Sequence, residues 1–148
     1  MSLPPFPEGS FVWCAFPQRE HPARPGPGGH IAYILGVSGT PNFTALVAYT
    51  SSQPWPEPTR PPGVFIFDQQ AAAGLGQARA FVMDLRRLAA VPVTPAWFPR
   101  LGQPGGGMVG HMPKPRQRQY LDIVEQLLTR RPDLIERLGP LWPGQSRR

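Results

Sequence analysis

Apolar residues in this chain come in short runs, and proline, glycine or a small polar cluster closes off nearly every one of them. Phe11 to Phe16 is a continuous apolar run after Glu8-Gly9-Ser10 and before Pro17, a length and bounding that suit a buried first strand. His30 to Val37 and Phe43 to Tyr49 are β-branched and aromatic, and Ser38-Gly39-Thr40-Pro41-Asn42 between them predicts a hairpin whose turn exceeds two residues. Val64 to Phe67 reads as a fourth strand, Arg79 to Leu85 as a fifth, and Leu88 to Val93 as a sixth after the Arg86-Arg87 pair. Gln69 to Ala73 has the length of one helical turn. Short strands at close intervals, with no long helix between them, predict a mainly β (α+β) fold: an antiparallel sheet closing into a small barrel over residues 1–94.

The connecting stretches are as informative as the strands. Gln18 to Gly29 and Ser51 to Pro62 carry Pro and Gly at a density that predicts loops, the second holding Trp55 and Arg60. Pro95 to Pro115 is denser still, and Gly105-Gly106-Gly107 predicts a linker or flap without regular structure. Helical periodicity begins after it. Tyr120, Ile123, Val124, Leu127 and Leu128 share one face, and Gln119, Asp122, Glu125 and Gln126 lie away from it. Pro132 breaks that helix and suits the first turn of a second, in which Leu134, Ile135 and Leu138 continue the stripe until Gly139-Pro140. The helical segment, 116–142, is expected to belong to the same single domain, its apolar face against the sheet.

Composition decides between order and disorder. The 22 Pro and 16 Gly approach the share at which low complexity becomes the default, yet 41% of the 148 residues are hydrophobic and fall in clean runs, which predicts one compact domain with long rigid loops. Charge is uneven, with 15 basic against 9 acidic side chains, and Lys114 is the only lysine. Arginine presents a planar fork of donors matched to phosphate, so the imbalance favours a nucleic-acid partner, although a GC-rich coding sequence would raise Arg over Lys equally well. Cys14, the single cysteine, excludes an intrachain disulfide and a multi-cysteine zinc site and fits a reducing cytoplasm. With no basic-then-apolar leader and no apolar run of about 18 residues, export and membrane spanning are not expected.

Several familiar chemistries are missing. His21, His30 and His111 are too scattered for a metal motif, and no nucleophile elbow, phosphate-binding loop or dinucleotide fingerprint occurs, so neither metal nor cofactor is expected. Other groups remain. His21 stands among Arg19 and Arg24, a group titrating near neutrality beside phosphate-binding cations. His30 opens a strand. Thr50-Ser51-Ser52 ends one with hydroxyls that can donate to phosphate or simply favour a turn. Asp84 is an acid within the apolar run Phe81-Val82-Met83-Asp84-Leu85 and needs a partner, for which Arg86 or Arg87 is the structural solution.

Taken in order, these pieces resemble the PemK/MazF family of toxin endoribonucleases. The family opens on a Gly-Asp-apolar-Val-Trp-x-x-Phe strand before a Pro, and here stands Gly9-Ser10-Phe11-Val12-Trp13-Cys14-Ala15-Phe16-Pro17. A charged Gly/Pro loop follows, then His30-Ile31-Ala32-Tyr33-Ile34-Leu35 in place of a strand that begins Arg-Pro-Ala, with Arg24-Pro25 a few residues earlier. The partner strand ends in Tyr49-Thr50-Ser51, and Gly74-Leu75 precedes Asp84-Leu85-Arg86-Arg87, where the family has Asp-Gln-x-Arg. The match covers roughly residues 8 to 92 and lies in order more than in identity.

The resemblance implies an SH3-like barrel with a C-terminal helix and a homodimer inhibited by an antitoxin protein. It also implies metal-independent cleavage of single-stranded RNA by attack of the 2′-hydroxyl on the adjacent phosphate. By position, the implied catalytic residues are His21 or Asp84 as base, His30 as acid or phosphate donor, Arg24 as phosphate clamp and Thr50 as hydrogen-bonding support. Arg19, Arg24, Ser51 and Arg60 are the implied RNA contacts. His30 stands where the family has Arg, Leu85 where it has Gln, and Val82 where some members carry a catalytic Arg. The alternative is therefore a catalytically degraded barrel that binds nucleic acid, through Arg with Trp55 and Trp97, two residues that equally suit covering the barrel end, or a protein partner.

Overall fold

The computed structural model describes residues 6–18, 20–21, 23–27, 29–39 and 43–130, together with the backbone of 136–138. Six antiparallel strands form one curled, open half-barrel: β1 (Ser10–Cys14), β2 (His30–Ser38), β3 (Thr44–Ser51), β4 (Val64–Phe67), β5 (Phe81–Pro92) and β6 (Met108–His111). They lie in the order β4-β5-β3-β2-β1-β6, so the expected mainly β, barrel-like architecture is the one observed. A single turn, α1 (Gln69–Ala73), is capped by the Asp68 carboxylate, which accepts from the Ala71 amide at 2.8 Å. The long helix α2 (Lys114–Arg130) buries Tyr120, Val124 and Leu127, the stripe its periodicity predicts.

Both faces of the sheet are covered, which explains why Phe11 to Phe16 reads as a continuous apolar run. Phe11, Tyr33, Ala48, Met83 and Leu85 point inward to meet Tyr120, Val124 and Leu127 of α2. Val12, Cys14, Ala32, Ile34, Val47 and Val91 point the other way, against Phe6, Trp97 and Phe98. The period-two alternation of β1, β2, β3 and β5 thus feeds two cores.

Three segments differ from the sequence reading. The expected fifth and sixth strands are one strand, β5, bent at the very Arg86-Arg87 pair that divides them in the sequence. Ala48 pairs with Leu88 and the next residue of β3, Tyr49, with Asp84, so Leu85, Arg86 and Arg87 bulge out of the β3 ladder. Residues 95–115 are not a linker. Trp97 and Phe98 are buried, the Ala15 amide donates to the Trp97 carbonyl at 2.8 Å, and β6 pairs with β1. Gly105, Gly106 and Gly107 all have φ between 67° and 87°, so the triple glycine is the tight turn that feeds β6.

The third difference lies after α2. Where a second helix is expected to carry Leu138, the backbone forms β7 (Glu136–Leu138), parallel to β5 at Arg87–Ala89. β4 pairs only with residues 81–84 of β5, so the remainder of that edge is open and a strand there satisfies its backbone groups. Pro132, Leu134, Ile135 and Gly139-Pro140 lie outside the described residues.

Candidate functional site

Antiparallel pairing brings three strand ends to one place. β2 starts at His30, its neighbour β3 ends at Ser51, and Ser51 pairs with Val82 near the start of β5. A cavity of about 230 Å³ opens there, lined by His30, Thr50, Ser52, Gln77 and Arg79 over a floor of Ile31 and Phe81. An adjoining cleft of about 530 Å³ shares Ser52, Arg79 and Phe81 with it and continues past Trp55, Ile66 and Val82. Cavity and cleft form one groove with Arg79 at the junction.

Thr50 is 3% exposed, and its hydroxyl donates to the Ile31 carbonyl at 2.5 Å. Its proton is committed to tying β3 to β2, which leaves only oxygen lone pairs for a ligand. His30 is half-buried, its ring centroid 6.3 Å from that of Tyr49. Tyr49 is itself covered by the Arg87 guanidinium at 4.1 Å, which also lies 5.3 Å from the Phe16 ring. The Gln77 amide nitrogen donates to the Leu75 carbonyl at 3.1 Å, and Arg79 is exposed.

The other sequence-implied residues lie elsewhere. Asp84 is directly opposite Tyr49, and Thr50 opposite Met83, so the alternation of β3 places Asp84 and Thr50 on opposite faces of the sheet. Its carboxylate accepts from the Arg86 amide at 2.9 Å and from the Arg86 guanidinium at 3.0 Å through each oxygen. That bond raises the Arg86 pKa above its ordinary value. His21 and Arg24 are exposed in the β1–β2 loop, where the His21 amide donates to Gln18 and the Arg24 amide to His21, and neither lines the cavity. The Ser51 hydroxyl accepts from the Gln53 amide at 3.1 Å and shapes the turn after β3. Arg60 lines a separate cavity of about 710 Å³ against α2, together with Arg86 and Arg130. Arg19 lies outside the described residues.

Arg79 and Gln77 are the site members that sequence reasoning passed over. The available signal was positional: Arg79 opens the fifth apolar run as His30 opens the second, and two strands that flank a common antiparallel partner start at the same end of the sheet. Trp97, which the sequence offers equally as a stacking group or as cover for the barrel end, is 6% exposed and packs in the outer core. Among the described residues no three His, Cys, Asp or Glu side chains gather as metal ligands, and no helix is long and apolar enough to cross a membrane.

Fold and groove together define a curled half-barrel with a small polar cavity at its strand mouths and an aromatic cleft beside it. Comparison of the sequence with protein-family models and with curated proteins finds no match.

Proposed function

We propose that this chain is a PemK/MazF-like, metal-independent endoribonuclease that takes single-stranded RNA at the cavity between the mouths of β2, β3 and β5. The observation that carries this reading is the convergence of His30, Thr50, Ser52 and Arg79 on one cavity. A phosphate seated there receives the Arg79 fork, with the Ser52 hydroxyl as a neutral donor. The 2′-oxygen attacks phosphorus, the bond to the 5′-oxygen breaks, and His30 in its imidazolium form gives that leaving oxygen its proton. The 2′-hydroxyl proton passes to water at the open mouth, because among the described residues no carboxylate lines the cavity. The products are a 2′,3′-cyclic phosphate and a free 5′-hydroxyl.

Incubation of mixed-sequence single-stranded RNA with the purified protein in chelator tests this. Cleavage with those two product ends, lost in His30→Ala, is the expected result. RNA left intact by the parent sinks the catalytic claim.

One observation favours the second reading, a barrel that binds RNA without cutting it. Asp84, the implied base, is held by Arg86 through both oxygens and does not line the cavity, which leaves His30 as the one imidazole or carboxylic acid lining it among the described residues. Salt-dependent binding without cleavage selects that reading.

The same family reading carries a homodimer, a cytoplasmic setting and an antitoxin partner. Arg60 and Arg130 around the apolar residues Phe65, Ile123 and Leu127 support an acidic partner segment at the cavity against α2.

A further inference from the structure

The cleft beside the cavity has a construction of its own. The Trp55 indole nitrogen donates to the Thr59 carbonyl at 2.9 Å, and the Arg86 guanidinium lies 5.8 Å from its ring centroid. Arg86 is in turn gripped through both Asp84 oxygens at 3.0 Å. A carboxylate on β5 thus holds an arginine, the arginine lies against an indole, and the indole is tied to its own loop. Side chains with this many restraints lose little entropy when a ligand arrives.

The cleft that Trp55 lines also holds Ile66, 48% exposed, and Val82. Ile66 pairs with Val82 across β4 and β5, so the two side chains form one apolar wall of the cleft. At about 530 Å³ the space falls within the range of small-ligand sites, which runs from roughly 300 to 1,000 Å³. Arg79 stands at its junction with the polar cavity.

We infer that the Trp55–Ile66–Val82 cleft is a base-stacking subsite, which takes one unpaired nucleobase of an RNA strand whose adjacent phosphate sits at Arg79. The inference rests on the RNA reading above and adds the place and chemistry of recognition. A flat, unpaired base matches an indole and two aliphatic side chains, a phosphate matches the arginine beside them, and a nucleotide carries both at a fixed separation. A base in a duplex has both faces stacked, so the subsite selects single strands. Asp84 acts on it as a positioning residue, through Arg86.

The test uses a short 2′-O-methyl oligoribonucleotide, which cannot be cleaved through its 2′-oxygen, and an abasic version of the same length. The parent is expected to bind the first in a salt-dependent manner and the abasic strand more weakly. Trp55→Ala is expected to lose about tenfold in affinity for the base-bearing strand and nothing for the abasic one. Trp55→Phe, which keeps a ring, is expected to bind within a few-fold of the parent and to lose the tryptophan quenching that the parent shows on titration. That optical readout holds even if Trp55→Ala folds poorly. Equal affinity of the parent for both strands, or quenching that survives in Trp55→Phe, overturns the subsite while leaving RNA binding in place. A parent that binds neither strand overturns the RNA reading and the subsite together.

Discussion

Single residues separate structure from chemistry most clearly at Thr50, Asp84 and Cys14. Thr50→Val leaves the buried Ile31 carbonyl without its hydroxyl donor, and a stability loss of about 1–3 kcal/mol is expected in urea melts. Thr50→Ser should recover most of it. Asp84→Asn weakens a charge-assisted, two-oxygen grip on Arg86, so the unfolding free energy should again fall by about 1–3 kcal/mol. The pH profile of any RNA cleavage should keep its shape in that variant, whereas a base at Asp84 would take one limb of the profile with it. Cys14 is fully buried, and desolvation pushes its thiol from 9.0 up to about 12. The folded state holds that proton more tightly than the unfolded one. Its contribution to stability is therefore intact below pH 9 and is lost as pH rises toward 12, a loss that Cys14→Ala should not show in melts across that window. Native protein at pH 8 should resist thiol reagents until it is unfolded. The sequence exposed part of this: an acid in an apolar strand announces its need for a partner, and Arg86 was one of two named. It does not say which face the acid points to, because that depends on the register between β3 and β5.

At the scale of elements, the strands were legible where the chain's own periodicity and punctuation decide them. Val64–Phe67 and Gln69–Ala73 have the bounds read from the sequence, and α2 buries the stripe predicted for it. Elements that exist because of a distant partner were not legible. β6 has only four residues after three glycines and forms because β1 offers an open edge, and β7 forms along the part of β5 that β4 leaves unpaired. The bend in β5 was read as a gap between strands, since a bulge and a loop begin with the same polar interruption. β6 also shows how tightly such late additions are packed. A methyl group on Gly110 would run into Leu75, which is 3% exposed above it. Gly110→Ala is expected to cost about 1–3 kcal/mol by overpacking, readable in the same melts. A truncation of Leu75 to Ala in that background should recover part of the loss.

For the whole molecule, the excess of arginine becomes specific only once the fold places it. Of the cations expected as RNA contacts, Arg24 is on an exposed loop and Arg60 beside α2, whereas Arg79, which was not among them, lines the cavity with His30 and Thr50. Runs along the chain mark His30 and Arg79 each as a strand opening, but the register of β2, β3 and β5 is what groups them. The grouping is a product of three antiparallel strand ends meeting, with fifty residues between the first and the last. On the proposed RNA reading, the net charge of +6 would supply a general attraction for the strand, and the cavity and its aromatic cleft a place for it. The two contributions differ in their response to salt and to single substitutions. The most direct measurement is therefore the salt dependence of affinity for a non-cleavable single-stranded oligoribonucleotide, compared between the parent and Arg79→Ala. An RNA phosphate at Arg79 predicts weaker binding for the variant and a log–log salt slope shallower by about 0.7. An unchanged affinity and slope would contradict the placement of RNA at the mouths of β2, β3 and β5.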